Sequence, residues 1–342
     1  MGESAKKQNY CLNFVKGCAC LGVLHMHTSY DCLISSIITC LVRFGVLIFF
    51  MISGYYCFDK DLGIVQKKLP KKVIHVWRLC FFSCLLYFVF AEIVNPLLSQ
   101  GKIDLLSGVQ EYITVDNIIN FLVFNRVPFG GVLWFLFALL YCYFLVGIVN
   151  KYNWYEKAYV ISCLLIAFHI ITRGIIQYRG LIPEDINVNF YRNFIFMGFP
   201  FFMLGNYMHR YQESIVHKFT NRKLILLIGV GLVLSCIERY FVALELYWGT
   251  VLVTVCIFIY AVKNQEKKVI PFLSTIGEKY SMPIYVLHPL ISNLLYYVKC
   301  EFYLQDNMVL SILNPIIVLV LILLLAKGYE NTKQILHSRN HQ

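Results

Sequence analysis

The chain has 342 residues, of which 59% are hydrophobic and 14% are charged, and its mean hydropathy is +0.65. Soluble globular proteins carry about 45–50% apolar and about 25% charged residues, so this composition excludes a soluble enzyme, a nucleic-acid-binding module and a disordered chain. It predicts an all-α integral membrane protein. At about 20 residues per span the chain has room for roughly ten transmembrane helices and short loops. We therefore expect residues 1–342 to form a single membrane-embedded domain.

Ten apolar segments follow one another along the chain, and each is predicted to be a transmembrane helix. The longest loop, about 96–131, separates the third segment from the fourth. It contains a half-apolar piece, Ile118–Phe124, which is too short to span and is expected to be interfacial or re-entrant. The ten predicted spans are about 12–29, 34–58, 76–95, 132–150, 156–172, 193–209, 223–242, 247–263, 281–298 and 308–326.

The net charge of +11 arises from 30 Lys and Arg against 19 Asp and Glu. In membrane proteins basic residues favour cytoplasmic loops, so topology explains the excess better than a nucleic-acid partner does. If the N-terminus is cytoplasmic, ten alternating spans place 21 basic residues on the inner side and 7 on the outer side. This bias predicts that the N- and C-termini are both cytoplasmic.

The first predicted helix carries Lys16, His25 and His27. Lys16 and His27 are eleven residues apart, which at about 100° per residue leaves only about 20° between them on the helix. They therefore share a face, with Lys16 towards the cytoplasm and His27 towards the outer side. His25 lies about 200° from His27 and is predicted to face elsewhere. Snorkelling of Lys16 to the headgroups and an interfacial position of His27 are the structural alternatives.

Arg43 falls inside the second predicted span, where a charge is costly. We expect it to point into the bundle and to bind an acceptor or an anion there, or else to donate to backbone carbonyls. Ser53 and Gly54 follow on the same helix, and a small-residue pair of this kind lets helices approach closely. The ninth predicted span places His288 directly before Pro289, which frees backbone groups.

Two other residue types receive structural interpretations. Trp134, near the outer end of the fourth span, is typical of an interfacial aromatic belt. Most of the 13 cysteines lie in apolar runs, where cysteine is a small packing residue. Cys18 and Cys20 do not have the spacing of a zinc site, so no metal is expected.

Several segments resemble, in order along the chain, the motifs of the acyltransferase-3 family. The opening motif of that family is a basic residue followed after ten residues by histidine, as in Lys16 and His27. The other matching segments are Phe49–Tyr55 (Phe-Phe-x-x-Ser-Gly-aromatic), the basic run Lys67–Arg78, Leu133–Leu136 (Leu-Trp-Phe-Leu), Phe199–Gly205 (Pro-Phe-Phe-x-x-Gly) and Leu273–His288 (Gly-x-x-Ser, then Tyr-x-x-His). The chain departs from the family pattern in having lysine where arginine is common, and in lacking a Glu after Trp134.

The resemblance implies a membrane-bound O-acyltransferase. Its expected reaction moves an acyl group, acetyl in particular, from cytoplasmic acetyl-CoA to a hydroxyl of a cell-surface or lipid-linked carbohydrate. Because histidine has an unperturbed pKa near 6.5, His27 suits a general base, with Arg43 and His288 as further catalytic candidates. Lys16, Ser53 and Tyr55 are the expected acyl-CoA-binding residues. The implied partners are acyl-CoA, a carbohydrate or glycolipid acceptor and the lipid bilayer, and the implied location is a bacterial cell membrane.

Two other functions remain open at this stage. A multi-pass transporter or flippase would also place Lys, Arg and His inside its spans. Transporters often show inverted repeats with broken helices at corresponding positions, and no such internal symmetry is visible in this sequence. The third possibility is a non-catalytic membrane sensor module.

Overall fold

The computed structural model describes residues 9–30, 32–180 and 190–339, and these residues form helices and loops with no strand among them. The all-α expectation is therefore confirmed. The helices are α1 (Tyr10–Thr28), α2 (Leu33–Val42), α3 (Phe44–Tyr55), α4 (Leu62–Val89), α5 (Asn95–Leu98), α6 (Leu105–Tyr112), α7 (Val115–Phe124), α8 (Trp134–Lys151), α9 (Tyr155–Arg179), α10 (Phe199–Arg210), α11 (Gln212–Lys218), α12 (Asn221–Phe241), α13 (Trp248–Lys263), α14 (Pro271–Thr275), α15 (Ser281–Glu301) and α16 (Met308–Arg339).

Six helical stretches among the described residues are long and apolar enough to cross a membrane. Every one of the ten predicted segments coincides with helix, but four of them do not reach this length and hydropathy. The number of ten spans and the cytoplasmic termini therefore stay predictions, and Lys6 and Lys7, which contributed to the charge bias, lie outside the described residues. The six stretches are Leu33–Tyr55, Leu62–Leu98, Gly131–Lys151, Tyr155–Arg179, Asn221–Phe241 and Met308–Ile335.

Local structure differs from the prediction in three places. A turn at Arg43 divides the second predicted span into α2 and α3. The basic run Lys67–Arg78 lies within the long helix α4 rather than before it. The long loop contains α6 and α7, and on α7 the residues Val115, Ile118, Ile119 and Leu122 are exposed and share one face, as an interfacial helix requires.

The chain divides into two compact units. The terminal unit is built from Met1–Val42 and Gln265–Gln342, and the central unit from Arg43–Asn264. Each unit has its own helix packing, so each is described separately.

In the terminal unit, α1 packs closely against the segment that contains α14 and the π-helical turn Ile276–Tyr280. A Cβ atom on Gly17 would lie 2.0 Å from the carbonyl oxygen of Leu273, and one on Gly277 would lie 2.0 Å from that of Asn13. Only glycine allows these two backbones to approach so closely. The two glycines thereby fix the position of α1, which carries Lys16 and His27.

In the central unit, α3 packs against α10 through a second glycine pair. A Cβ atom on Gly54 would lie 1.8 Å from the carbonyl oxygen of Phe202, and one on Gly205 would lie 1.9 Å from that of Met51. The close approach expected of Ser53 and Gly54 is thus confirmed. The Phe49–Tyr55 and Phe199–Gly205 motifs are the two sides of one helix contact.

Candidate active site

The terminal unit brings His27 and His288 together. Their ring centroids are 5.2 Å apart, with an angle of 43° between the ring planes. His288 is fully buried, whereas His27 is exposed. These residues are 261 positions apart in the sequence, and the packing of α1 against α15 makes them neighbours.

The protonation of His288 follows from its hydrogen bond. Its Nδ1 lies 2.9 Å from the carbonyl oxygen of Ile284, and because a carbonyl can only accept, Nδ1 must carry the proton and donate. The neutral ring therefore has its lone pair on Nε2. This atom is buried, and none of the described residues forms a hydrogen bond with it. His288 thus has a buried hydrogen-bond acceptor, Nε2, and the ring next to it is that of His27.

His25 faces a different neighbour from His27. Its Nε2 lies 3.4 Å from Oγ of Ser35, which is in turn 2.7 Å from Oγ of Ser29. The helix α1 is uninterrupted from Tyr10 to Thr28, and its 100° rotation per residue turns the two histidines to different sides. The prediction from helix geometry that His25 and His27 face apart is confirmed.

Lys16 lies on the same uninterrupted helix as His27 and is half-buried. The helix rise of about 1.5 Å per residue separates the two positions by roughly 16 Å. They share a helix face at the distance predicted from the sequence. Lys16 is therefore too far from His27 for a direct contact.

Arg43 lies in the central unit, at the N-cap position of α3. Its guanidinium carbon is 5.6 Å from the ring centroid of Tyr247, which is fully buried, and this is cation–π distance. The side chain thus contacts protein rather than lipid within this unit. Arg43 and Tyr55 lie at opposite ends of α3, about 18 Å apart at the rise of a helix.

Ser53 and Tyr55 have partners within the central unit. The Ser53 hydroxyl donates to the carbonyl oxygen of Phe49 at 2.9 Å, one turn earlier on its own helix. The Tyr55 ring stacks on His209 with centroids 4.4 Å apart, and its hydroxyl donates to Oε1 of Gln212. Nδ1 of His209 donates to the carbonyl oxygen of Tyr55 at 2.6 Å. Tyr55 is therefore rigidly held at the end of α3.

Trp134 is buried and does not form part of an exposed aromatic belt. Its ring lies 6.1 Å from that of Phe50, and the guanidinium carbon of Arg192 lies 5.3 Å from its centroid. The Leu133–Leu136 and Phe49–Tyr55 motifs are therefore in contact within the central unit.

The sequence reasoning missed a buried ion pair in the central unit. Arg173 is one of the seven basic residues that ten alternating spans place on the outer side. It is fully buried, and its Nε and Nη2 donate to the two carboxylate oxygens of Glu245 at 2.9 and 3.0 Å. Burial alone would raise the pKa of the Glu245 carboxyl, but the hydrogen bonds and charge of Arg173 outweigh burial and hold that pKa below its usual value. Polar residues spaced four apart, at His169, Arg173 and Gln177, were the signal available in the sequence.

No group of three or more His, Cys, Asp or Glu side chains in the described part of the chain is arranged to hold a metal ion. The chemistry of the described residues is that of histidine, hydroxyl and cationic side chains in an apolar helical protein.

These features define a multi-pass membrane protein whose terminal unit carries a pair of histidines. A model of the acyltransferase domain of the acyltransferase-3 family matches residues 9–326, which is nearly the whole chain and spans both units. The chain belongs to the acyltransferase-3 family. No curated protein and no solved structure matches it.

Proposed function

We propose that the protein transfers an acetyl group from cytoplasmic acetyl-CoA to a hydroxyl of a cell-surface or lipid-linked carbohydrate, in the cell membrane of a bacterium. The membership in a family of membrane acyltransferases supports the reaction class. The observation that carries the proposal is the His27–His288 pair, because O-acyl transfer needs a base for the acceptor hydroxyl.

In the proposed reaction the neutral His27 imidazole takes the proton of the acceptor hydroxyl. The hydroxyl oxygen attacks the thioester carbonyl carbon, so a C–O bond forms and the C–S bond breaks. Coenzyme A leaves as a thiolate, and the proton held by the imidazole returns to that sulfur. A positioned base of this kind contributes about 10²–10⁴-fold in rate.

His288 acts on His27 as a positioning residue in this proposal. Its Nδ1 proton is committed to Ile284, and its Nε2 has no hydrogen-bond partner among the described residues. During the proposed reaction the two rings, whose centroids are 5.2 Å apart, turn so that this Nε2 accepts from a ring N–H of His27. That bond leaves the other ring nitrogen of His27 unprotonated and turned away from His288. The arrangement selects the tautomer in which His27 is a base.

Lys16, Arg43 and two polar residues of α3 are assigned to the acyl donor, acetyl-CoA. Lys16 attracts the phosphates of acetyl-CoA as a compact positive charge, and Ser53 and Tyr55 contribute to its binding. Arg43 stabilises the oxyanion that develops on the thioester carbonyl.

The test is transfer of labelled acetyl from acetyl-CoA to envelope glycan of the producing cells, with the purified protein in liposomes. We expect His27→Ala to lower the rate at least about 10²-fold, because the hydroxyl loses its base. The matched control is His25→Ala, which removes the same side chain two residues away and should retain most of the activity. Equal losses in the two variants would contradict the assignment of His27. Uptake or export of the glycan without acetyl transfer would favour a transporter instead.

A further inference from the structure

The C-terminal end of α1, which carries His27, is bonded to another helix of the terminal unit. The last carbonyl groups of a helix have no N–H partner within the helix itself. In α1 the carbonyl oxygen of His25 accepts from the backbone N–H of Ser29 at 3.0 Å. The carbonyl oxygen of Thr28, one residue after His27, accepts from Nδ2 of Asn314 on α16 at 2.8 Å. A side chain 286 positions away thus holds the last turn of α1, next to the proposed base.

Asn314 is a polar residue on the buried face of an apolar helix. Four and eight residues further along α16 come Val318 and Ile322, which are both fully buried. Residues spaced by four lie on one face of a helix, so Asn314 shares the buried face of α16, and this helix packs against α1 and α15. A polar side chain on such a face of a membrane helix hydrogen-bonds to the neighbouring helices, because lipid offers it no partner.

The Asn314 amide contacts both helices that carry the histidine pair. Besides its bond to the Thr28 carbonyl on α1, Nδ2 donates at 3.4 Å to Oγ of Ser292, which is one turn after His288 on α15. One amide group therefore connects α1 beside His27 with α15 one turn from His288. It joins two helices whose separation sets the distance between the two rings, and all of these residues belong to the terminal unit.

Lys299 determines the orientation of this amide. Its Nζ lies 3.4 Å from Oδ1 of Asn314 and 3.4 Å from the carbonyl oxygen of Leu310. An ammonium group can only donate, so the Asn314 atom that faces it must be the oxygen. The Nδ2 group is thereby directed to Thr28 and Ser292. Its two N–H bonds and the amide oxygen are then all in use, which fixes the side chain.

We propose that Asn314 is a positioning residue, which holds the last turn of α1 so that the ring of His27 stays beside that of His288. Its role in acyl transfer rests on the proposed function. Asn314 does not touch the reacting groups. Without its amide the Thr28 carbonyl loses this partner, the last turn of α1 frays, and the His27 ring is displaced. Misplacing a reacting group by about 1 Å lowers a rate by about 10²-fold.

The test compares Asn314→Asp with the unmodified full-length protein in liposomes. The aspartate has nearly the same shape and keeps an oxygen facing Lys299, but it has no N–H to donate to Thr28. We expect kcat for acetyl transfer to fall about 10- to 100-fold with the KM for acetyl-CoA unchanged, because donor binding is not involved. With ¹³C,¹⁵N-labelled histidine, the solid-state NMR correlation between the rings of His27 and His288 should weaken, and this measurement needs no acyl donor.

Asn307→Asp is the matched control, because it makes the same chemical change in the same unit. Oδ1 of Asn307 accepts from the backbone N–H of Leu310 at 3.0 Å, and an aspartate oxygen accepts equally well. This variant should keep both kcat and the ring correlation. Lys299→Met is the second test variant. It leaves the Asn314 amide free to turn over and should lower kcat about threefold.

An unchanged kcat and ring correlation in Asn314→Asp would overturn the proposal. A fall in kcat with the ring correlation intact would overturn it too, because Asn314 would then act otherwise than by positioning His27. Single hydrogen bonds between membrane helices add little to stability, so we expect the variants to fold. If Asn314→Asp does not, Lys299→Met replaces it, and an unchanged ring correlation there overturns the proposal. A correlation that depends on Asn314 in a protein without acetyl transfer would retain the positioning of His27 and contradict the proposed function alone.

Discussion

The two units each contain a buried histidine of the same local design. In His288 of the terminal unit and His169 of the central unit, Nδ1 donates to a main-chain carbonyl and Nε2 has no partner among the described residues. The neighbours differ. His288 faces the exposed ring of His27. His169 faces Tyr191 and lies on the helix α9, which also carries Arg173.

The same histidine arrangement therefore has different neighbours in the two units. A second, exposed imidazole next to His288 supplies a group that can gain and lose a proton. Beside His169 the charges of Arg173 and Glu245 are already paired with each other, and the remaining Nε2 of the ring is a buried hydrogen-bond acceptor. The neighbouring side chain, rather than the histidine itself, decides which chemistry is available.

The largest expected effect is on the ion pair of the central unit. Glu245→Gln leaves the buried Arg173 charge without a counter-ion, which should lower the free energy of unfolding by about 3–5 kcal/mol. Arg173→Met combined with Glu245→Leu removes both charges and should recover most of this loss. Detergent unfolding curves of the purified variants measure both values. A single variant as stable as the unmodified protein would show that the pair does not hold this unit together.

The same pair predicts a pH dependence. The pKa of Glu245 is lower in the folded protein, so the pair contributes its full stability above the unfolded value of about 4.3. That contribution decreases as the pH falls below this value and is lost once the pH passes the folded pKa. The unfolding curves of Glu245→Gln should lack this acid-dependent step.

The histidine pair of the terminal unit should give the next largest effect. We expect His288→Ala to lower kcat about 10²-fold, because His27 loses the partner that sets its tautomer. Combining it with His27→Ala should cost little more than either change alone, since the two residues act as a unit. The pH–rate profile of His288→Ala should also change. If the losses of kcat in the two single variants multiply in the double variant, His27 and His288 act independently and the histidine pair of the terminal unit is not one functional unit.

The glycine contacts should behave alike in both units. Gly54→Ala and Gly17→Ala place a Cβ atom 1.8 and 2.0 Å from a carbonyl oxygen, and each should cost about 1–3 kcal/mol of stability. Gly229→Ala is the control, because nothing lies within 4 Å of its added Cβ atom. We expect a gain of about 0.5–1 kcal/mol there. Thermal unfolding in detergent distinguishes the outcomes, and equal midpoints for all three would refute the tight packing.

The smallest effect is expected for Tyr55→Phe, which removes the hydroxyl bonded to Gln212. If Tyr55 helps to bind acetyl-CoA, the KM for this donor should rise about three- to tenfold with kcat unchanged. Tyr240→Phe, at an exposed position, should leave both constants as they are. A fall in kcat with unchanged KM would argue against a binding role.

Composition and periodicity determined much of this protein. A mean hydropathy of +0.65 together with apolar runs of about 20 residues predicts a helical membrane protein, because a helix bonds the backbone groups of such a run within the run itself. The spacing of Lys16, His25 and His27 fixed which of them share a face, because a helix turns by a constant angle. The ordered motifs indicated the family.

Only the tertiary structure decided which residues meet. His27 reaches His288 because glycines let α1 pack closely in the terminal unit, and no local pattern encodes a contact between positions 261 apart. Arg173 forms a buried ion pair with Glu245 and does not lie on the outer surface. The burial of a charge is tolerated only where a counter-ion is present, and here the counter-ion is distant in the sequence. The bond from Asn314 to the carbonyl of Thr28 likewise joins residues 286 positions apart.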